Sequence, residues 1–588
     1  MVSAESSTGT SAAGTAARMA ALEAALAERD TRIAELVRER DQLRAAYDRL
    51  WLDVELMRRR IFIAKAERVD TTQLDLEFKD KLAELDKLAG TLGIGQTDDA
   101  PTGGDAPTGG DGKSGSRPKP RGRRNLRDIK MPEERVEIPG PEGEALVAKG
   151  QAERIGFEES SKIAWQRGGP RRLVVARVKY RMPDADKPSP ETTQIVTAPM
   201  PPEIFPRAIA SVSLIAHIIV DKYGDGLPLH RQERRFAGLG LPLDRGTMCR
   251  WVEHAGATFG ATVVAAMRAD AMKTAFCIST DATGVLVQPV SDGQQRRQPC
   301  RRGHYFVQIA DRDHIFFEYT PRETSAAVGE MFKGFSGYVQ ADAKSVYDIL
   351  FRPPPEDPPD GDGNADRAAR TEVGCLAHAR RGFWEATIAK SAVAREGLAR
   401  LGRVFALERK WKGRPTEELT ALRQAHARPH LEAFFAWVEE EFARVKDQRG
   451  LLRSALGYCV RNKAALMRYL DDGRLEPTNN GSERALRAVA VGRKAWLFVG
   501  SDDHAESAGH LLSLIASARL HNLEPETYLR DLLRVLPHWP RDRFLELAPK
   551  FWVRTRDRLV PRELAADIGP LTIPPAIDPT KQEPPAQS

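Results

Sequence analysis

Cysteine is scarce: Cys249, Cys277, Cys300, Cys375 and Cys459 are the only five in 588 residues, and no two form a C-x-x-C pair. That excludes a disulfide framework and a zinc ribbon, and it fits a reducing compartment. No apolar run reaches the roughly 18 to 20 residues of a membrane span, and the N-terminus lacks the apolar stretch of a signal peptide. These absences predict a cytoplasmic protein with no membrane partner, in a bacterial cell one associated with the nucleoid. A large excess of one charge is missing too: 89 Lys and Arg against 82 Asp and Glu leave +7. A polyanionic partner must therefore be met by local basic clusters. Nor does any Ser or Cys sit in an elbow motif that would make it a nucleophile.

What is present is length, enough for several domains at one per roughly 150 residues. Residues 1–18, rich in Ser, Thr, Ala and Gly, predict a disordered start. Over 19–92 the pattern is helical. Leu26, Ile33, Arg40, Tyr47, Val54 and Ile61 recur every seven residues, and Leu22, Arg29, Leu36, Leu43, Leu50 and Met57 form a second series, the a and d seam of a coiled coil. Self-association follows from that seam; a long amphipathic helix packed on its own domain is the alternative. Residues 93–125 combine a tandem Ala-Pro-Thr-Gly-Gly-Asp repeat with a basic end, Arg121-Gly-Arg-Arg124, and read as a linker.

Alternating runs at Arg135-Val-Glu-Ile138 and Arg172 to Tyr180 predict a small β-rich module over 126–197. Residues 198–270 are helical. Within them Tyr223 to Gln232 and Leu243 to Val252 fit a helix-turn-helix, or two ordinary packed helices. Short strands at Phe276–Asp281, Gly284–Gln288, His304–Ala310, His314–Tyr319 and Gly337–Ala341, with helices entering later, predict a mixed α/β sheet over 271–392. A helical block over 393–475 interrupts it, residues 476–555 complete it with C-terminal helices, and a Pro-rich tail over 556–588 reads as extended. The whole is a multidomain α+β protein.

Three acids stand out. Asp281 and Asp342 each close an apolar, strand-like run, and Glu483 lies in Thr478-Asn-Asn-Gly-Ser-Glu483-Arg484-Ala-Leu-Arg487, where polar residues run into a helix start. Carboxylates on rigid elements suit Mg²⁺, which takes oxygen ligands and keeps waters. Two such ions stabilise the attacking and leaving oxygens of a phosphodiester, with one aspartate bridging them and the other two acids each closing one side. Residue type and spacing alone fit equally a turn-forming Asp and an i,i+4 helix pair between Glu483 and Arg487. Arg484, Arg487, Arg493 and Lys494 are candidate phosphate contacts, as are Arg380 and Arg381 beside His378.

Taken together, Ala198-Pro-Met-Pro-Pro, Lys222 to Gln232, Gly337-Tyr-Val-Gln-Ala-Asp342, Cys375-Leu-Ala-His-Ala-Arg-Arg-Gly-Phe383, Asn479 to Arg487, Gly492-Arg-Lys-Ala-Trp-Leu-Phe498 and Pro525 to Arg530 resemble the transposases of the insertion sequence sixty-six family. The resemblance runs in order from about residue 20 to 535. It implies an RNase H-like catalytic core of the DDE type with Asp281, Asp342 and Glu483 as metal ligands, Mg²⁺ or Mn²⁺ as cofactor, an inserted helical block and an N-terminal zipper helix. The implied activity is cutting and joining of double-stranded DNA ends by a homo-oligomer, with room for accessory proteins. The chain departs from the family pattern in three places. No cysteine lies in 126–182, so no zinc is expected where the family usually carries a zinc module. Thr478 replaces an aspartate, and around Asp342 Ala341 replaces a small polar residue and Ala343-Lys344 replaces Gly-Tyr. A catalytically inactive, DNA-binding relative is the alternative reading, and a nuclease that hydrolyses without joining is a third.

Overall fold

In the computed structural model of the chain, the described residues are 28–39, a few positions between 43 and 87, 131–166, 168–183, 193–289, 299–351, 370–388 and 391–576. The expected disordered start, most of the zipper helix, the linker and the end of the tail lie outside them. The chain divides into two compact units, 1–119 and 120–588. In the first, residues 28–39 are helical, with Ile33 and Leu36 about half exposed. Among the described residues no helix is long and apolar enough to cross a membrane.

The second unit opens with a four-stranded sheet of β1 (Glu133–Ile138), β2 (Glu153–Gln166), β3 (Gly169–Pro183) and β4 (Thr193–Thr197), in which β3 pairs with the other three. Its apolar alternation buries Leu173, Val175 and Ala164 on one side. Val178 and Tyr180 are buried on the other side, and arginine–glutamate pairs join the strands, Arg172–Glu133, Arg177–Glu158 and Arg181–Glu153. Helices Val212–Tyr223, Leu229–Gly238, Arg245–Ala255 and Ala261–Thr274 follow. Asp244 caps the third through Gly246 and Thr247, and Trp251 and Met248 turn inward.

The second sheet has the order β7-β6-β5-β8-β9. β5 (Cys277–Val287), β6 (Arg301–Ala310) and β7 (His314–Thr320) run antiparallel in series, whereas β8 (Tyr338–Gln340) and β9 (Thr371–Val373) lie parallel to β5. The two strands expected at 276–281 and 284–288 are one. Ala282-Thr-Gly284 does not turn, because its backbone stays in register with Phe306, Tyr305 and His304 of β6. Asp281 therefore sits mid-strand rather than at a strand end.

Helices Ala392–Lys410, Thr416–Leu422, Arg428–Val445, Leu451–Arg461 and Lys463–Met467 form a block between β9 and helix Asn480–Trp496. Their apolar faces share one core with Val373, Leu376, Ala379 and Phe383 of the sheet region. Helix Asp502–Leu520 then lies along the edge strand β7. Its Ser513 and Ser517 hydroxyls accept from the N–H groups of Phe317 (2.8 Å) and Ile315 (2.9 Å). The approach is so close that a Cβ at Gly509 would lie 2.5 Å from the Phe317 carbonyl oxygen. After Arg556 the chain makes a helix at Pro561–Ala565 where its proline content predicts extended structure, since Pro561 sits at the first turn and is tolerated there.

Candidate active site

The two aspartates are brought together by strand register. β5 and β8 pair in parallel up to Ser279↔Gln340, and two residues further on stand Asp281, still within β5, and Asp342, just past the end of β8. Pairing ends at Ser279 and Gln340, so the chains open just where the acids emerge. Asp281 accepts from the Ala282 N–H (2.7 Å), while Asp342 Oδ1 is buried without a hydrogen-bond partner. Burial raises the Asp281 carboxyl above the usual carboxylate range, and the neighbouring Asp342 adds to the rise.

Glu483 arrives from helix Asn480–Trp496, whose lead-in is threaded through the sheet. Gln340 donates to the Glu476 carbonyl (2.7 Å), and the Leu376 N–H donates to Pro477 (3.0 Å). Buried Asn479, at the cap position, does not cap the helix; its amide donates to the Thr280 carbonyl (3.4 Å). Ser482 meets Ser279 hydroxyl to hydroxyl at 2.9 Å. Thr478, half-buried, stands at the start of this threaded lead-in. Glu483 is thus delivered beside β5 near Asp281 and faces His378, 3.6 Å from its Nε2, rather than Arg487. His378 Nδ1 is buried and unpartnered.

Lys344 and Glu323 complete the surroundings. The Lys344 ammonium lies 3.4 Å from Asp342 Oδ2, 4.0 Å from Asp281 Oδ1 and 3.8 Å from Glu323 Oε1. Burial works against its charge, yet Asp342, Asp281 and Glu323 raise its pKa. Glu323 also lies 3.7 Å from His304 Nε2. An open cleft of about 670 Å³ runs from here along β5, lined by Thr283, Arg302, His304, Lys344 and Arg493 among others. Glu323 comes from a Pro-Arg-Glu-Thr turn with no sequence signal of a site. Lys344 was visible only as a departure next to an acid.

The basic candidates divide. Arg493 donates to the Gly284 carbonyl (2.5 Å) and Thr283 (3.1 Å) and ties its helix to β5. Arg380 stacks over Phe405, and Arg381 pairs with Glu385 at 3.6 Å. Arg484, Arg487 and Lys494 are exposed along helix Asn480–Trp496. Asp281, Asp342 and the unpartnered Asp342 oxygen suit a hard cation by chemistry. Among the described residues, however, no three His, Cys, Asp or Glu side chains are grouped closely enough to grip one ion. Glu483 is held by His378 instead.

The transposase IS66 family model matches residues 207–507, which includes all three acids, and the IS66 C-terminal element matches 513–549. The chain belongs to the IS66 transposase family. Similar proteins include the uncharacterized protein y4hP of Sinorhizobium fredii, 29% identical over 389 residues, and y4jD of the same strain, 27% identical over 350. These alignments cover 61% and 58% of this chain and 65% of each relative, just under two thirds of their length. A third relative, y4qI, is 25% identical over 429 residues, 71% of this chain and 75% of its own.

Proposed function

We propose that this IS66 chain is a transposase that cuts the ends of its element and joins them to target DNA, with Asp281, Asp342 and Glu483 as the catalytic acids. The observation that carries the proposal is the parallel register that sets Asp281 beside Asp342, with the helix bearing Glu483 laced to the same strand ends. Three serial antiparallel strands, followed by two parallel strands reached through helices, support an RNase H-like core. The exposed Ile33 and Leu36, which belong to the two heptad series, support self-association through a zipper helix.

Asp281 and Asp342 would hold Mg²⁺ or Mn²⁺, and Glu483 would complete the set on leaving His378. Bound there, divalent ions stabilise charge on the attacking and leaving oxygens of a phosphodiester. The chain's own residues do the rest. Without an ion His378 holds Glu483 beside the aspartates, Arg493 fixes helix Asn480–Trp496 against β5, and Arg484, Arg487 and Lys494 present positive charge to a DNA backbone. Each phosphate contact releases counterions, so removing one of the three exposed cations should reduce the salt slope of DNA binding by about 0.9.

The decisive experiment is cleavage of a duplex carrying the element's terminal repeat, with Mg²⁺ or Mn²⁺. Asp281→Asn, Asp342→Asn and Glu483→Gln should each abolish nicking and leave DNA binding intact. An acid whose variant nicks at the parental rate is misassigned. A second reading, a DNA-binding relative without catalysis, is favoured by the ammonium lying on the two aspartates. Binding with no cleavage by the parental protein under either metal would establish it.

A further inference from the structure

Lys344 follows Asp342 by two residues, and its backbone N–H donates to the Asp342 carbonyl at 2.7 Å, a tight turn that folds its side chain back over the acid. The ammonium meets three carboxylates at once and is separated from each by no more than 4.0 Å. A compact ammonium on a flexible four-carbon stem is suited to leave such a position without backbone movement. Its side chain is 45% exposed, so a path to water is open. Glu323, 30% exposed and set beside His304, offers a second station on the cleft wall.

We infer that Lys344 is an internal counter-cation of the site: it neutralises Asp281 and Asp342 while they hold no metal and moves to Glu323 when a divalent ion takes them. This rests on the reading of the two aspartates as ion ligands. Lys344 is a positioning residue that acts through those carboxylates. Without it, two acids on adjacent strands would repel each other in a partly buried place. With it, a divalent ion must displace a positive charge already in position, which weakens ion binding and reserves the site for conditions of ample metal. Glu323 lowers the cost of that displacement by retaining the ammonium nearby.

The test is Mn²⁺ binding to the full-length, metal-stripped protein, followed by electron paramagnetic resonance of free Mn²⁺ and by melting temperature in EDTA. Lys344→Met keeps the length of the stem and removes the charge. It should tighten Mn²⁺ binding by on the order of tenfold, lower the melting temperature in EDTA, and regain it on adding Mn²⁺. Glu323→Gln, which deprives the ammonium of its second station, should loosen Mn²⁺ binding and serves if the methionine variant does not fold. Affinity unchanged or weakened in Lys344→Met, with Asp342→Asn losing binding, overturns the inference and leaves the ligand reading intact. Unchanged affinity in Glu323→Gln overturns the second station. Parental affinity in Asp342→Asn would instead remove the ligand reading, and the inference with it.

Discussion

Asp281 shows what it costs to assemble such a site before any ion arrives. Its pKa is raised in the folded chain, chiefly by burial, so the fold favours the protonated acid. That contribution is fully present below the ordinary aspartate pKa of about 3.9 and is lost as pH climbs through the raised value. Asp281→Asn should therefore be more stable than the parent at pH 7. The gain should shrink as pH falls toward 4. Urea melts in EDTA at several pH values measure it, and equal stability at pH 7 would mean that burial is not penalising the charge. The residue types of the site could be read from the sequence, but their adjacency could not. Asp281 and Asp342 meet because of the β5–β8 register, a pairing across 61 residues that no local pattern announces. Glu323 was illegible for the same reason.

At the scale of elements, the strands of the second sheet were legible from their apolar, β-branched and aromatic runs. Where one strand ended and another began was not, because Ala282-Thr-Gly284 has the composition of a turn and the geometry of a strand. Tertiary pairing with β6 overrides local preference there. The contact between helix Asp502–Leu520 and β7 is also beyond local reading, since small residues in a helix can serve many ends. Here they let it sit against a sheet edge and satisfy that edge's donors, which would otherwise be open to another strand. Gly509→Ala should cost about 1 to 3 kcal/mol by overpacking against Phe317. Ser517→Ala should cost about 1 to 3 kcal/mol by leaving the Ile315 N–H without its acceptor. Chemical denaturation of each variant gives the number, and a change under about 0.5 kcal/mol, the range of ordinary surface substitutions, would contradict the close fit.

For the whole molecule, the helical block over 392–467 resembles an insertion that could be cut out, but its core argues otherwise. Phe383, Leu376 and Val373, which flank the site, are buried against Leu401, Phe434, Phe435 and Leu456 of the block. Replacing 391–472 by a short Gly-Ser bridge should expose these side chains and yield aggregated protein in size-exclusion chromatography. A soluble, folded product would show the block to be a separate domain.

The site's division between distant stretches also has a consequence in time. Ser279 and Ser482, whose hydroxyls join the two halves, are 203 residues apart. At about 5 to 20 residues per second, a ribosome needs roughly 10 to 40 s to travel from one to the other. From Asp342 to Glu483, 141 residues or roughly 7 to 28 s at that rate, the nascent chain carries both aspartates with nothing to close them. Only when the last acid leaves the ribosome can the three converge, so the chain cannot acquire the proposed activity until its inserted helices already exist.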